Sequence, residues 1–133
     1  MTENELTYKI IGAIFNVYNG LGPGLLESVY EKVLKYELGK QGLRAESQVE
    51  IPVIYDGHDF GVDLRADIIV DNKVIIELKS VSELHDVHYK QLLTYLRLHN
   101  KKVGLLVNFN TSNIKDSIHR IVNGAEDYKS FQS

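Results

Sequence analysis

Apolar side chains recur along residues 3–19 at Leu6, Ile10, Ile14 and Val17, flanked by Ile11, Phe15 and Tyr18. That spacing gathers them on one broad helical face. Thr2 followed three residues later by Glu5 predicts a capping box. The run Gly20-Leu21-Gly22-Pro23-Gly24 ends the helix, because glycine and proline each disfavour helical continuation. A second helix is predicted over about 24–41, with Leu25, Leu26, Val29, Val33, Leu34 and Leu38 inward and Gly42 as its C-terminal cap. From Ser47 the period falls to two. Val49, Ile51, Val53 and Tyr55 alternate with Gln48, Glu50, Pro52 and Ile54, a strand in which Pro52 favours an edge or a bulge. Asp56-Gly57 is a hairpin turn signal. Further strands are predicted over about 59–70 and 73–79, and Val74-Ile75-Ile76, apolar on both faces, belongs in the middle of a sheet. Helical spacing returns over 83–99, a buried strand follows over 102–109, and a last helix is predicted over about 112–122. The order α-α-β-β-β-α-β-α implies an α/β (α+β) fold. One mixed sheet carries helices on its faces, with the strand after the long helix added in parallel.

Composition narrows the class. At 133 residues the chain is expected to form a single domain over 1–133. With no cysteine there is no disulfide framework, cysteine-based zinc site or thiol nucleophile. No apolar run approaches the ~18 residues of a membrane helix, and the polar, acidic start is not a secretory signal, so a cytoplasmic protein without membrane partners is expected. The net charge of -3 and pI near 5.9 do not suit a protein that holds nucleic acid by a basic surface. They leave open a metal-dependent enzyme, whose ions supply positive charge locally.

The chemistry concentrates in residues 65–79. Glu77 and Lys79 lie two apart and share one face of a strand. Charged groups closing a buried apolar strand are costly unless paired or functional. A two-residue turn at Asp71-Asn72 would send Asp67 and Glu77 to opposite faces. A three-residue connection, 71–73, pairs Val70 with Val74 and sets Asp67 across from Glu77. Two carboxylates on adjacent strands suit Mg²⁺ or Mn²⁺, and Lys79 beside them could position a water or offset charge on a phosphate. The plainer alternative is a surface ion pair at a strand end.

Glu27 lies in the first turn of the second helix, where it could simply compensate the helix dipole. Gln91 and Tyr95 share a face of the long helix with His88, either as ordinary core and surface residues or as groups orienting Lys79 or a phosphate. Arg65 could contact phosphate or pair with Asp63 or Glu27. His85 and His88 have metal-ligand spacing without a third ligand nearby in sequence. Glycine-rich phosphate loops, nucleophile elbows and dinucleotide fingerprints are absent from the sequence.

Four motifs in order, Gly24-x-x-Glu27-x-x-Tyr30, Arg65-Ala66-Asp67, Glu77-Leu78-Lys79 and Gln91-x-x-x-Tyr95, resemble the small bacterial GxxExxY protein family, grouped with the PD-(D/E)XK nucleases. The resemblance runs over about residues 4–122. It implies a restriction-endonuclease-like αβββαβ core and phosphodiester hydrolysis of nucleic acid, DNA being the expected polymer. It further implies Mg²⁺ (or Mn²⁺) on Asp67 and Glu77, with Lys79 as the catalytic lysine. Glu27 matches a helical glutamate near the metal, and Gln91 and Tyr95 match a helical motif of exonuclease-like branches. Ala66 stands where the superfamily's name has proline. Two other functions fit the same residues: a catalytically silent nuclease fold serving nucleic-acid binding or complex assembly, and a small-molecule enzyme. A homodimer or larger complex could supply the binding surface that the acidic chain lacks.

Overall fold

In the computed structural model, which describes residues 1–124, the first apolar stripe forms helix α1 (Glu3–Leu21). The capping box is made: the Glu5 amide donates to the Thr2 hydroxyl at 3.1 Å and the Thr2 amide to the Glu5 carboxylate at 3.3 Å. The helix ends at Gly22, whose φ of 70° is one that L side chains rarely adopt. Helix α2 (Glu27–Lys40) starts three residues later than the apolar spacing suggested, because Gly24 at φ 96° is not helical. Gly42 follows its end at φ 76°.

The predicted strand from Ser47 divides at Pro52. Strand β1 (Ala45–Ile51) joins the main sheet, while β2 (Ile54–Tyr55) and β3 (His58–Asp59) form a separate small hairpin. Its turn is Asp56-Gly57, both residues left-handed, as a hairpin of this length requires. Strands β4 (Leu64–Val70) and β5 (Val74–Lys79), helix α3 (Asp86–Leu98) and strand β6 (Val103–Asn108) fall within the expected segments. The last predicted helix is overturned. Residues 114–117 make one 3-10 turn, and β7 (Ile118–Val122) pairs antiparallel with β6.

The sheet order is β1-β4-β5-β6-β7. Among the described residues only β5 and β6 run parallel, joined through α3. This mixed sheet with helices on both faces is consistent with the expected restriction-endonuclease-like fold. No helix among the described residues is long and apolar enough to cross a membrane.

Each face of the sheet has its own core. Ile68, Val70, Val74, Ile76, Leu78, Leu105 and Val107 pack with α1 and α2. Ile69, Ile75 and Leu106 pack with Leu92 and Leu96 of α3, which lies so close that a Cβ at Gly104 would meet Leu92 at 3.0 Å. Alternation breaks at one level. Ala66 packs on the α3 side, although Ile68, two residues on, packs on the opposite side. In β1, Ala45 packs with the first core and Val49 and Ile51 with the second. The two neighbouring strands therefore change face together, around Gln48 and Asp67.

Candidate active site

The site begins with a turn. Asp71 and Asn72 take φ of 49° and 56°, and the Lys73 amide closes the turn on the Val70 carbonyl at 2.9 Å. Lys73 is then an extra residue, so the register runs Val70↔Val74, Ile69↔Ile75, Ile68↔Ile76. The hydrogen-bonded turn thus spans two residues while the register is that of the three-residue connection. The next level brings Asp67 to Glu77.

There the backbone ladder gives way to side chains. The Asp67 amide donates to Oε2 of Glu77 at 2.8 Å, and the Leu78 amide donates to Oδ2 of Asp67 at 2.8 Å. Each carboxylate occupies the place of a backbone carbonyl, which splays the strands and draws both acids together. Glu77 is only 4% exposed. Burial first, and the Asp67 charge second, push its pKa up to about 8, against the opposing pull of the Asp67 amide and Lys79. Burial also raises Asp67, opposed by the Leu78 amide and the Lys79 charge. An ordinary ion pair would hold both acids below the usual carboxylate range. Desolvation disfavours the ionised form of both acids, the Asp67 charge adds to this at Glu77 and the Glu27 charge at Asp67, and Lys79 only partly offsets it.

The glycine-containing motif ahead of α2 has a local explanation. The Tyr30 ring is fully buried and stacked on Phe109 at 4.2 Å between centroids. Its hydroxyl donates to the Gly22 carbonyl at 2.6 Å and accepts the Leu25 amide at 3.1 Å. The loop is thereby pinned, and Glu27 reaches the end of β5. Its Oε1 accepts the Ser80 amide at 3.1 Å, while the Ser80 hydroxyl donates to the Leu25 carbonyl at 2.6 Å. Glu27 therefore clamps the backbone next to Lys79, and its charge contributes to the rise at Asp67. Dipole compensation alone does not account for it.

On α3, the Gln91 amide donates to the Tyr95 hydroxyl at 3.1 Å. Tyr95 is buried, and burial first, then the charges of Glu77 and Asp67, raise its pKa against the opposing Gln91 bond. Arg65 sits at the rim. Its guanidinium lies 3.6 Å from Glu50, its cross-strand neighbour on β1, and not against Asp63 or Glu27. The His85/His88 spacing serves the helix start, where Nδ1 of His88 accepts the His85 amide at 3.0 Å.

Sequence reasoning missed three residues. Gln48 lies opposite Asp67, and its amide donates to Glu31 at 2.7 Å and reaches Asp67 Oδ1 at 3.5 Å. Burial raises the pKa of Glu31, with the Gln48 bond opposing it. Glu31 lies four residues after Glu27, a spacing that shares one helix face and was the available signal. Asn108, buried at the end of β6, donates to the Val81 carbonyl and accepts the Val81 amide, fixing the segment that leaves β5.

Among the described residues no three His, Cys, Asp or Glu side chains are gathered to hold a metal ion. The donor set is a pair of carboxylates. That suits Mg²⁺, which takes one or two carboxylates and keeps several waters. Two neighbouring acids disfavoured as ions are also what a cation would relieve.

A family model described as PD-(D/E)XK nuclease superfamily matches residues 4–121. No curated protein matches the chain, and no solved structure does. The matched stretch contains every strand of the sheet but the final residue of β7, and all of the carboxylate site. The chain belongs to the PD-(D/E)XK nuclease superfamily.

Proposed function

We propose that the chain is a metal-dependent nuclease, a single domain over 1–133 related to the GxxExxY proteins, that hydrolyses phosphodiester bonds of DNA. The observation that carries this reading is the meeting of Asp67 and Glu77 where two strands change face, with Lys79 on the same strand. A purely structural charge pair would favour both ionised carboxylates, whereas this arrangement penalises them until a cation arrives.

In this reading Asp67 and Glu77 hold Mg²⁺ or Mn²⁺, which when bound polarises a phosphate oxygen and helps ionise a water. Lys79 holds the attacking water in line with phosphorus, or offsets the charge that gathers on the phosphate oxygens. Glu27 fixes the Ser80 backbone and so the strand end that carries Lys79. Gln91 and Tyr95 orient Lys79 or the substrate from α3, and Arg65 at the rim contacts a flanking phosphate. With a net charge of -3, the protein draws on the cation for much of its hold on phosphate.

The test is a cleavage screen with Mg²⁺ and Mn²⁺ over single- and double-stranded DNA and RNA. Metal-dependent cutting that disappears in Lys79→Ala is the expected result. Binding without cutting would favour the silent nuclease-fold module, and cutting unchanged in Lys79→Ala would sink the assignment of the lysine.

A further inference from the structure

We propose that Gln48 is a positioning residue of this site, held in a strained backbone conformation so that its amide spans Asp67 and Glu31. The inference rests on the carboxylate pair being the metal site. Gln48 has φ 51° in the middle of a strand. That is a left-handed conformation which is unfavourable for side chains other than glycine, asparagine or aspartate. Nothing local in the sequence asks for it, since glutamine is not a left-handed former and Ser47 and Val49 on either side are ordinary strand residues.

The structure supplies a reason. Gln48 stands at the level where β1 and β4 both change face, opposite Asp67. Its Nε2 carries two hydrogens, and two carboxylate oxygens face it: Glu31 Oε1 at 2.7 Å and Asp67 Oδ1 at 3.5 Å. Asp67 Oδ2 is already fixed by the Leu78 amide. Among the described residues Gln48 alone donates to the other oxygen, through a long bond at 3.5 Å, and Glu31 anchors Gln48 from α2. A carboxylate at position 48 would add repulsion, and an ammonium would neutralise the site and compete with a cation. A neutral double donor does neither. Strained residues of this kind persist where the surrounding structure over-determines them, characteristically at functional sites.

Gln48→Gly and Gln48→Asn test this in the full chain. Glycine relieves the backbone strain and removes the amide. Asparagine tolerates the left-handed backbone but is one methylene too short to span the acids. Gln48→Gly should melt higher than Gln48→Ala, which lacks the same amide but keeps the strained backbone. In the glycine and asparagine variants the Mn²⁺ concentration giving half of the maximal thermal shift should rise about tenfold or more, the usual cost of losing a partner of a metal ligand. Exchange of the Leu78 amide, which reports the Asp67 carboxylate directly, should accelerate roughly three- to tenfold in both, while the Ile76 amide is unaffected. If Gln48→Gly and Gln48→Asn keep wild-type Mn²⁺ dependence and wild-type Leu78 exchange, Gln48 only shapes the strand and the inference is wrong. If the wild type shows no Mn²⁺ effect, the metal reading fails, and Leu78 exchange alone still decides whether Gln48 holds Asp67.

Discussion

The β4–β5 hairpin has two ends built on opposite principles. Near the turn, Ile68, Ile69 and Val70 face Ile76, Ile75 and Val74 in a regular ladder, every side chain buried. One step further, Asp67 and Glu77 displace the ladder with their own carboxylates. The first end gains stability from burial of apolar surface. The second gives some back, because desolvation and like charge both disfavour the ionised acids. The same two strands thus provide a rigid mount and the unfavourable charge arrangement mounted on it. The rigidity of one is what makes the strain of the other persist.

That division predicts opposite responses at residues three apart. Ile76→Ala, in the fully buried half, should destabilise by about 2–5 kcal/mol through lost burial and the cavity left behind. Lys79→Ala, at the other end, should change stability by less than about 1 kcal/mol while removing metal-dependent cleavage. Urea unfolding and a cleavage assay on both variants measure the contrast. A Lys79→Ala protein as unstable as Ile76→Ala would mean that the strand end is structural too.

The next effect concerns pH. The pKa of Glu77 is raised in the folded state, from an ordinary value of 4.5 to about 8. A protonated Glu77 therefore favours the fold. Its contribution is fully present below about pH 4.5 and is lost as pH rises toward 8. Metal-free protein should melt lower at pH 8 than at pH 5 on this account, and Glu77→Gln should remove most of the difference. Mn²⁺ should reverse the trend, binding the ionised pair and stabilising the wild type by about 2.7 kcal/mol at a hundredfold excess over its dissociation constant. Glu77→Gln should lose that gain. Melting curves at the two pH values, with and without millimolar Mn²⁺, would show it. A wild type insensitive to Mn²⁺ whose Glu77→Gln variant melts lower at pH 8 would make Glu77 a structural residue.

Much of this site was legible in the sequence because strand geometry is discrete. Register can only place Asp67 and Glu77 together or apart, so the connection at 71–73 carried the decision. The motif Gly24-x-x-Glu27-x-x-Tyr30 marked the loop that delivers Glu27, although the pinning hydroxyl of Tyr30 is a tertiary fact. Gln48 was not legible, because its left-handed backbone is not one that its own propensity favours. The last helix failed for a related reason. Ile114, Ile118, Ile121 and Val122 fall at i, i+4, i+7 and i+8, a helical spacing. Pairing with β6 overrides it, and the segment becomes an edge strand.

A smaller effect sharpens the role of the loop. Tyr30→Phe keeps the ring stacked on Phe109 but removes the hydroxyl that joins Gly22 to Leu25. The cost should be about 1–2 kcal/mol, the range for a buried hydrogen bond whose partners are left unpaired. Glu27 should also loosen from Ser80, seen as faster exchange of the Ser80 amide. Unchanged exchange there would separate the tyrosine from the glutamate it follows in the motif.

The smallest effect compares two left-handed residues, one at each end of the hairpin region. Asn72 has φ 56° and Gln48 φ 51°. Glycine relieves the backbone at either position. Asp71, the other left-handed turn residue, is a poorer choice because its carboxylate accepts the Arg44 amide at 2.8 Å. Asn72→Gly should stabilise by at most about 1 kcal/mol, since asparagine already tolerates this conformation and glycine also loosens the unfolded chain. It should leave Mn²⁺ dependence untouched, because the turn lies beyond three apolar pairs from Asp67. Gln48→Gly relieves more strain but also gives up the bond to Glu31, and it should weaken Mn²⁺ binding. If both variants shift Mn²⁺ dependence equally, the turn and the site are mechanically coupled through the ladder, and the apolar pairs do not isolate one end from the other.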